Sequence, residues 1–324
     1  MILKKKPKIV VVGSINTDMV VRTPRLPRPG ETVLGGEFMM NAGGKGANQA
    51  VTVFRLGADL TFIAKVGNDV FGKQTLEQFH EVGIDTEYIT VNDRLASGVA
   101  LINVDDEAEN CIAVASGANS VLSPEDISKA SEVISKADIM LLQLEIPVET
   151  VTYAAAMAKK HGLKVVLNPA PAPSSPLPDE LLKNVDILIP NRSEMESVAG
   201  VEPGADPVET TNILAAHGVE TVVVTLGSKG SLVCEKGECD EIPSFAVAAV
   251  DTTAAGDTFC GALCVALAEG ADVKEAALFG NLAASITVTR EGAQQAIPTR
   301  SEVEEKAREL GTILKFLEVK EDCE

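Results

Sequence analysis

Short apolar runs recur along the chain, each stopped by a glycine or a small polar residue and followed by a segment with helical spacing. Residues 8–12 (KIVVV) run into Gly13, and 60–66, 138–144, 164–167, 186–189 and 221–226 repeat the form. Apolar residues at successive rather than alternate positions fit strands covered on both faces. Helical spacing follows Gly46 and ends before Gly57, and it returns at 72–81, 148–161 and 273–288. Ser123-Pro124-Glu125-Asp126 opens another helix, with a cap, a proline at the first position and acids in the first turn. This alternation predicts an α/β fold: a three-layer, doubly wound, mostly parallel sheet with helices on both faces.

Two stretches break the pattern. Residues 18–41 hold short runs (19–21, 32–34, 37–40) cut by Pro24, Pro27, Pro29, Gly30, Gly35 and Gly36, so no helix fits there. Residues 88–115 also read as short strands, with turns at Asn92-Asp93 and Asp105-Asp106. Together they predict a small β-sheet lid outside the main layers, able to cover a site or pair with another subunit. No linker or repeat divides the chain, so residues 1–324 are read as one domain with this appendage.

Candidate chemistry gathers where strands end. Asn16 and Asp18 follow the first strand, where short polar groups can bond the hydroxyls of a polyol; a later strand ends in Gln143 and Glu145, and the Glu145 carboxylate can accept from a sugar hydroxyl. In NAGGKGANQA (41–50), glycines let backbone approach a ligand while Lys45 and Asn48 add donors. It is not a P-loop, because Gly46 and not Ser or Thr follows Lys45. Asn191 and Glu194 sit three apart at a helix start, and Gly227-Ser228-Lys229-Gly230 is a second glycine loop able to lie against a nucleotide. The central stretch is 250–267, VDTTAAGDTFCGALCVAL. Its small residues Ala254, Ala255 and Gly256 precede an apolar helix whose first N–H groups lack partners within the helix, and Asp257 stands beside them. Donors for developing charge next to a carboxylate that can take a proton are what phosphoryl transfer requires.

Composition narrows the choice of partner. A net charge of −19 argues against nucleic acid or an anionic membrane, and no segment approaches a membrane span. The six cysteines form no CxxC pair and no zinc pattern; Cys260 and Cys264, one turn apart in an apolar run, read as buried free thiols. Scattered thiols favour a reducing cytoplasm. The start reads as a basic overhang before the first strand, residues 315–324 as a fraying tail, and His80, His161 and His217 as surface residues.

Taken in order, GSINTD, NAGGKGANQA, QLE, NPAP, PNRSE, TLGSKG and VDTTAAGDTFCGAL resemble the ribokinase-like carbohydrate kinase family over about residues 8–298. The resemblance implies ATP-dependent phosphorylation of D-ribose at the 5-hydroxyl. It makes Asp257 the base and the N–H groups of Ala254, Ala255 and Gly256 the anion hole. Asn16, Asp18, Gly44, Lys45, Asn48 and Glu145 would hold the sugar. Asn191, Thr225, Gly227, Gly230, Gly256 and Asn281 would line the nucleotide site, and Glu194 would organise Mg2+ through water. The resemblance also implies a monovalent cation, K+, at Asp251, Thr253, Thr287, Arg290 and Gly292, and a homodimer through the lid. One departure is Ala296, where the family commonly places a serine; the lost hydroxyl implies a weaker cation site. A kinase for another pentose, deoxyribose or a nucleoside, and a non-catalytic sugar-binding regulator, are the competing readings.

Overall fold

The computed structural model describes residues 6–107, 109–235 and 237–317. The basic overhang before Lys6, Cys323 and residues 318–324 of the tail lie outside the described residues. The strands are β1 (Lys8–Val12), β2 (Asn16–Arg22), β3 (Phe38–Gly43), β4 (Asp59–Gly67), β5 (Ile89–Asn92), β6 (Gly98–Val104) and β7 (Asn110–Ala115). They continue with β8 (Ile139–Leu142), β9 (Lys164–Leu167), β10 (Ile187–Leu188), β11 (Thr221–Thr225), β12 (Ser231–Glu235) and β13 (Glu238–Ile242).

The main sheet has nine strands in the order β13-β12-β11-β10-β9-β8-β1-β4-β5. It is parallel from β11 to β5, and β12 and β13 add an antiparallel edge. Alternation along each strand divides the core in two. Ile9 and Val11 face the layer that holds the helices Lys45–Arg55, Ala255–Ala268 and Val273–Thr287. Val10 and Val12 face the layer that holds Val148–Lys160. The chain leaves β1 toward β4 on one side and β8 on the other, so a crevice opens past the carboxyl ends of β1 and β8, the usual ligand position of such sheets. Val12 pairs with Leu142, which brings residues 13–16 and 143–145 side by side there.

Two helices in the first layer cross closely at Gly261. A Cβ on that residue would lie 2.6 Å from Thr52 Cβ and 3.1 Å from the Gln49 carbonyl. One turn earlier on both helices, the same crossing brings Asn48 and Gln49 to Asp257.

The lid is a four-stranded sheet in the order β3-β2-β6-β7. Two details differ from the sequence reading. The first strand of the 88–115 stretch, β5, pairs with β4 and belongs to the main sheet. The apolar run at 32–34 forms no strand; the prolines and Gly30 around it leave residues 23–37 as loop. Both predicted turns form by Asx bonding: Asn92 Oδ1 accepts from the Arg94 and Leu95 amides, and Asp105 Oδ1 from those of Glu107 and Glu109.

Elsewhere the hairpin β12–β13 and the helices Pro207–Ala216 and Arg300–Glu309 go beyond the predicted elements. Strand β13 (ECDEI) is a charged edge with no apolar run to betray it. That hairpin also corrects the thiol reading. It sets Cys234 directly opposite Cys239, and the two form a disulfide, which a separation of five residues does not disclose without the turn. Cys260 and Cys264 are buried free thiols, as expected. Nor does the tail fray from its predicted start: Phe316 is buried edge-on to Phe279, and Arg300 lies over both rings. All three histidines are exposed. Among the described residues no helix is long and apolar enough to cross a membrane.

Because Gly261 is required by helix spacing and not by a turn, Gly261→Ala should force the two helices apart. A loss of about 1–3 kcal/mol of unfolding free energy is expected from overpacking of this kind. Urea denaturation measures it, and an unchanged midpoint would show that the crossing is not tight.

Candidate active site

Asp257 lies in the first turn of the Ala255–Ala268 helix and is almost wholly buried. Two neutral amides from consecutive residues hold its carboxylate: Asn48 Nδ2 donates to Oδ2 at 2.9 Å, and Gln49 Nε2 donates to Oδ1 at 3.0 Å. Burial raises its pKa, while the Lys45 ammonium and the two amide donors pull it down. Asn48 Oδ1 is buried and has no partner, so an acceptor stands open beside the carboxylate.

Beyond the ends of β1 and β8, Glu145 Oε2 is the hub of a second cluster. It accepts from the Ser14 hydroxyl, from Asn16 Nδ2 at 3.5 Å and from the Lys45 backbone N–H at 3.0 Å. Gly44 has φ of 89°, and a Cβ there would lie 2.6 Å from the Asn16 nitrogen, so glycine permits the close approach of this loop to β1. Asp18 projects from β2 of the lid, its carboxylate over Gly43. Its pKa is raised to about 7, first by burial and then by Glu145 and Asp257, against the pull of Lys45. For Lys45, burial works against the charge, but Asp257, Glu145 and Glu194 outweigh it and the ammonium is held. The structure therefore brings Asn16, Asp18, Gly44, Lys45, Asn48, Glu145 and Asp257 into one neighbourhood.

Ala254 caps the helix that carries Asp257. It has φ of 60°, the one non-glycine left-handed residue among those described, and no side chain caps the turn. A residue held there against its preference turns the chain sharply into the helix. The N–H of Ala255 makes a long bond of 3.3 Å to the Thr252 carbonyl. Nothing lies within 4 Å of where a Cβ on Gly256 would stand, so protein packing does not demand the glycine; the space in front of it is open.

That open space is part of a cavity of about 500 Å3 lined by Thr225, Gly227, Gly230, Ala255, Gly256 and Asn281, with Phe245, Val247 and Val288 as apolar walls. Its size and mixed lining suit a small organic ligand. Asn281 Nδ2 contacts Ser231 Oγ and the Ile242 and Pro243 carbonyls at 3.1–3.2 Å, tying the helix to the hairpin edge at the cavity wall. Asn191 is not on that wall. It forms a capping box with Glu194 instead: its Oδ1 accepts from the Glu194 N–H at 2.9 Å, and the Glu194 carboxylate accepts from the Asn191 N–H at 2.8 Å. Burial raises the Glu194 pKa, opposed by the Asn191 N–H and by Lys45.

Behind the helix start, Asp251 ties two segments together. Its Oδ1 accepts from the Thr253 N–H and hydroxyl at 2.9 and 2.7 Å, and its Oδ2 from the Gly292 N–H at 2.9 Å. Thr287 bonds Thr258 at 3.0 Å, and the Arg290 side chain pairs with Glu302 at 2.6 Å. Ala296 is buried. Among the described residues no cluster of His, Cys, Asp and Glu could hold a metal on side chains alone.

Three polar residues in or beside the site escaped the sequence reading, and a fourth was given no role. Gln49 sits next to Asn48, and Asn168 supports it from the NPAP loop. Asn119 bonds Ile15 N–H, Ile15 C=O and Asn16 Oδ1 at 2.8–3.0 Å. Gln143, noted only as a strand end, donates to Gln49 Oε1 at 2.6 Å. Phe245 and Val247 escaped as well, because the 243–250 segment has no periodicity.

A sequence profile of pfkB family carbohydrate kinases matches residues 6–300. The chain is 46% identical over 296 residues to a ribokinase of Haemophilus influenzae, covering 91% of this chain and 96% of that one. It is 37% identical over 298 residues to a deoxyribokinase of Salmonella typhi, covering 90% and 95%. The structure of an Arabidopsis thaliana ribokinase complexed with ribose and ATP superposes with a TM-score of 0.85 at 34% identity, covering 93% of this chain and 99% of that one. With a profile match over nearly its whole length and relatives of this identity, the chain belongs to the pfkB family of carbohydrate kinases.

Proposed function

We propose that this protein transfers the γ-phosphoryl group of ATP to the 5-hydroxyl of D-ribose, giving D-ribose 5-phosphate and ADP. One observation carries the reading. A buried carboxylate, Asp257, shares a helix start with open backbone donors, and it stands between a polar cluster suited to hydroxyls and a cavity of about 500 Å3. The 46% identity to a ribokinase supports the choice of sugar.

Asn16, Asp18, Lys45, Asn48 and Glu145 would hold ribose with its 5-hydroxyl against Asp257. The open Asn48 Oδ1 is suited to accept from a hydroxyl. The 5-oxygen attacks the γ-phosphorus, its proton passes to Asp257, and the bond from that phosphorus to the β–γ bridging oxygen breaks with its electrons leaving on ADP. The N–H groups of Ala254, Ala255 and Gly256 would face the charge on the transferred group. Thr225, Gly227, Gly230 and Asn281 would border the nucleotide, and Asn191 would act from its capping box. The buried Glu194 would hold Mg2+ through water, and that ion would supply positive charge to offset the phosphates.

A monovalent cation would lie by the 250–253 and 287–296 segments. The donors available there are oxygen atoms, which suit K+. Because Asp251 already accepts three bonds from Thr253 and Gly292, its role would be to hold those carbonyls in place. Arg290, paired with Glu302, would offer only backbone oxygen, and Ala296 offers no hydroxyl.

The lid supplies a surface for a second copy of the chain. Met40, Met19 and Leu101 lie in register, as do Phe38 and Val21, so they share one face. Phe38, Met40 and Leu101 on it are exposed, and an apolar sheet face of this kind is a pairing surface.

A second reading rests on the deoxyribokinase relative, which makes 2-deoxyribose the principal competing acceptor. ADP release measured with ribose, 2-deoxyribose, other pentoses and nucleosides decides it: ribose should lead in kcat/KM, and a tenfold preference for another acceptor refutes the assignment. The same assay run in K+ and in tetramethylammonium should show higher turnover in K+, and equal rates would remove the cation. Asp257→Ala should lower kcat by about 10²–10⁴-fold, the range for a positioned base, while ribose still binds.

The Asp18 carboxyl, at about 7, is ionised above that pH and neutral below it. Ionised, it accepts two sugar hydroxyls; protonated, it loses part of that capacity. KM for ribose should therefore climb as pH falls through 7 and level off above it. Asp18→Asn should raise KM and flatten the dependence; a slope retained in that variant points elsewhere. Sedimentation should show a dimer that Leu101→Glu converts to monomer, and a wild type that stays monomeric at all concentrations removes the lid pairing.

A further inference from the structure

The carboxylate of Asp257 is held from below by a chain of buried amides that no binding role accounts for. Gln49 is fully buried, as is Gln143. Gln49 Nε2 donates to Asp257 Oδ1 at 3.0 Å and to Asn168 Oδ1 at 3.1 Å, and its Oε1 accepts from Gln143 Nε2 at 2.6 Å. Asn168 Nδ2 in turn donates to the Ile189 carbonyl at 2.7 Å.

The polarity of this chain is fixed at one end. A backbone carbonyl only accepts, so Asn168 must turn its Nδ2 to Ile189 and its Oδ1 to Gln49. Gln49 must then present its Nε2, and the second hydrogen of that group points at Asp257. Its Oε1 is left facing Gln143, which supplies a donor. An amide alone can flip, but here a flip would set oxygen against oxygen at both Asn168 and Asp257. We propose that Gln49 is a positioning residue whose amide, locked by Asn168 and Gln143, keeps Asp257 ionised and fixes the direction of its carboxylate for proton acceptance.

Two features support this. Burial alone drives the Asp257 carboxyl toward its neutral form, and a donor that cannot turn away opposes that. The close crossing at Gly261 fixes the backbone of Gln49 against the Asp257 helix, so the donor cannot drift. The other groups whose charge bears on Asp257 are Lys45, which favours its ionisation, and Glu145, Asp18 and Glu194, which oppose it; the Cys260 thiol is held neutral by burial and the same carboxylate. Gln49 therefore acts with Lys45 and Asn48 against three opposing carboxyls.

The inference rests on Asp257 as the base, and its test separates the two. The Asp257 carboxyl is followed by carbon-13 NMR in protein labelled at aspartate, with Asp257→Asn to assign the signal. In Gln49→Leu the titration midpoint should move up by about one pH unit or more, the tenfold change expected from losing one hydrogen bond to a charged group. The acid limb of kcat should move with it, while KM for ribose changes less than threefold. A midpoint left in place overturns the positioning role. A midpoint that moves while the kcat limb stays put leaves Gln49 in its role and removes Asp257 as the base. Should Gln49→Leu fail to fold, Gln143→Met, which removes one of the two partners that lock the Gln49 amide without touching Asp257, should move the midpoint in the same direction by a smaller amount. No movement there also overturns the proposal.

Discussion

The structure depends on keeping one carboxylate charged where water barely reaches. Asp257 is 8% exposed, and an unpaired charge at that depth would neutralise itself. Three features oppose this: the start of its own helix, the amides of Asn48 and Gln49, and the Lys45 ammonium. All three come from the segment after β3 or from the 250–267 stretch, regions some 200 residues apart in sequence. The fold's main task is to bring these two helices together, and Gly261 sets their separation.

That requirement explains the place of the other polar groups. A parallel sheet buried on both faces leaves unpaired polar backbone mainly at its strand ends. Ser14, Gln143, Glu145 and Asn168 all follow such ends, so side chains from three strands meet where the chain reverses direction across the sheet. The lid then contributes Asp18 and Asn16 from above, and Asn119 pins the Asn16 amide from outside. The polar cluster thus draws on two sheets, and its geometry depends on how the lid sits.

Much of this was legible in the sequence because it is written locally. The strand–helix alternation, the apolar runs ended by glycine, and the small residues before Asp257 each require only a short window. What was not legible is written across distance. Gln49 looks like any polar residue on a helix until Asn168 and Gln143 are known to face it. The Cys234–Cys239 pair depends on a hairpin whose second strand carries charges and not apolar residues. Asn191 and Glu194 were visible as a pair three apart, but that spacing did not disclose the capping box that their side chains form. Strand β5 was assigned to the lid because its sequence resembles its neighbours; only the register to β4 distinguishes it.

The charge balance of the site poses a final constraint. Four carboxyls, Asp18, Glu145, Glu194 and Asp257, share it with a single lysine, in a chain of net charge −19. A nucleoside triphosphate adds several negative charges, so four ionised acids would repel it. The upward shifts of Asp18 and Glu194 relieve part of this; the Asp18 carboxyl, at about 7, does not carry a full charge at neutral pH, and burial moves Glu194 in the same direction. Such a group responds to what arrives. A phosphate drawing close would favour its protonation, while a hydroxyl donor or a cation would favour its ionisation. Asp257 is held against that adjustment by the Asn48 and Gln49 amides together with Lys45, and in the proposed reaction it is the carboxylate that stands beside the attacking oxygen.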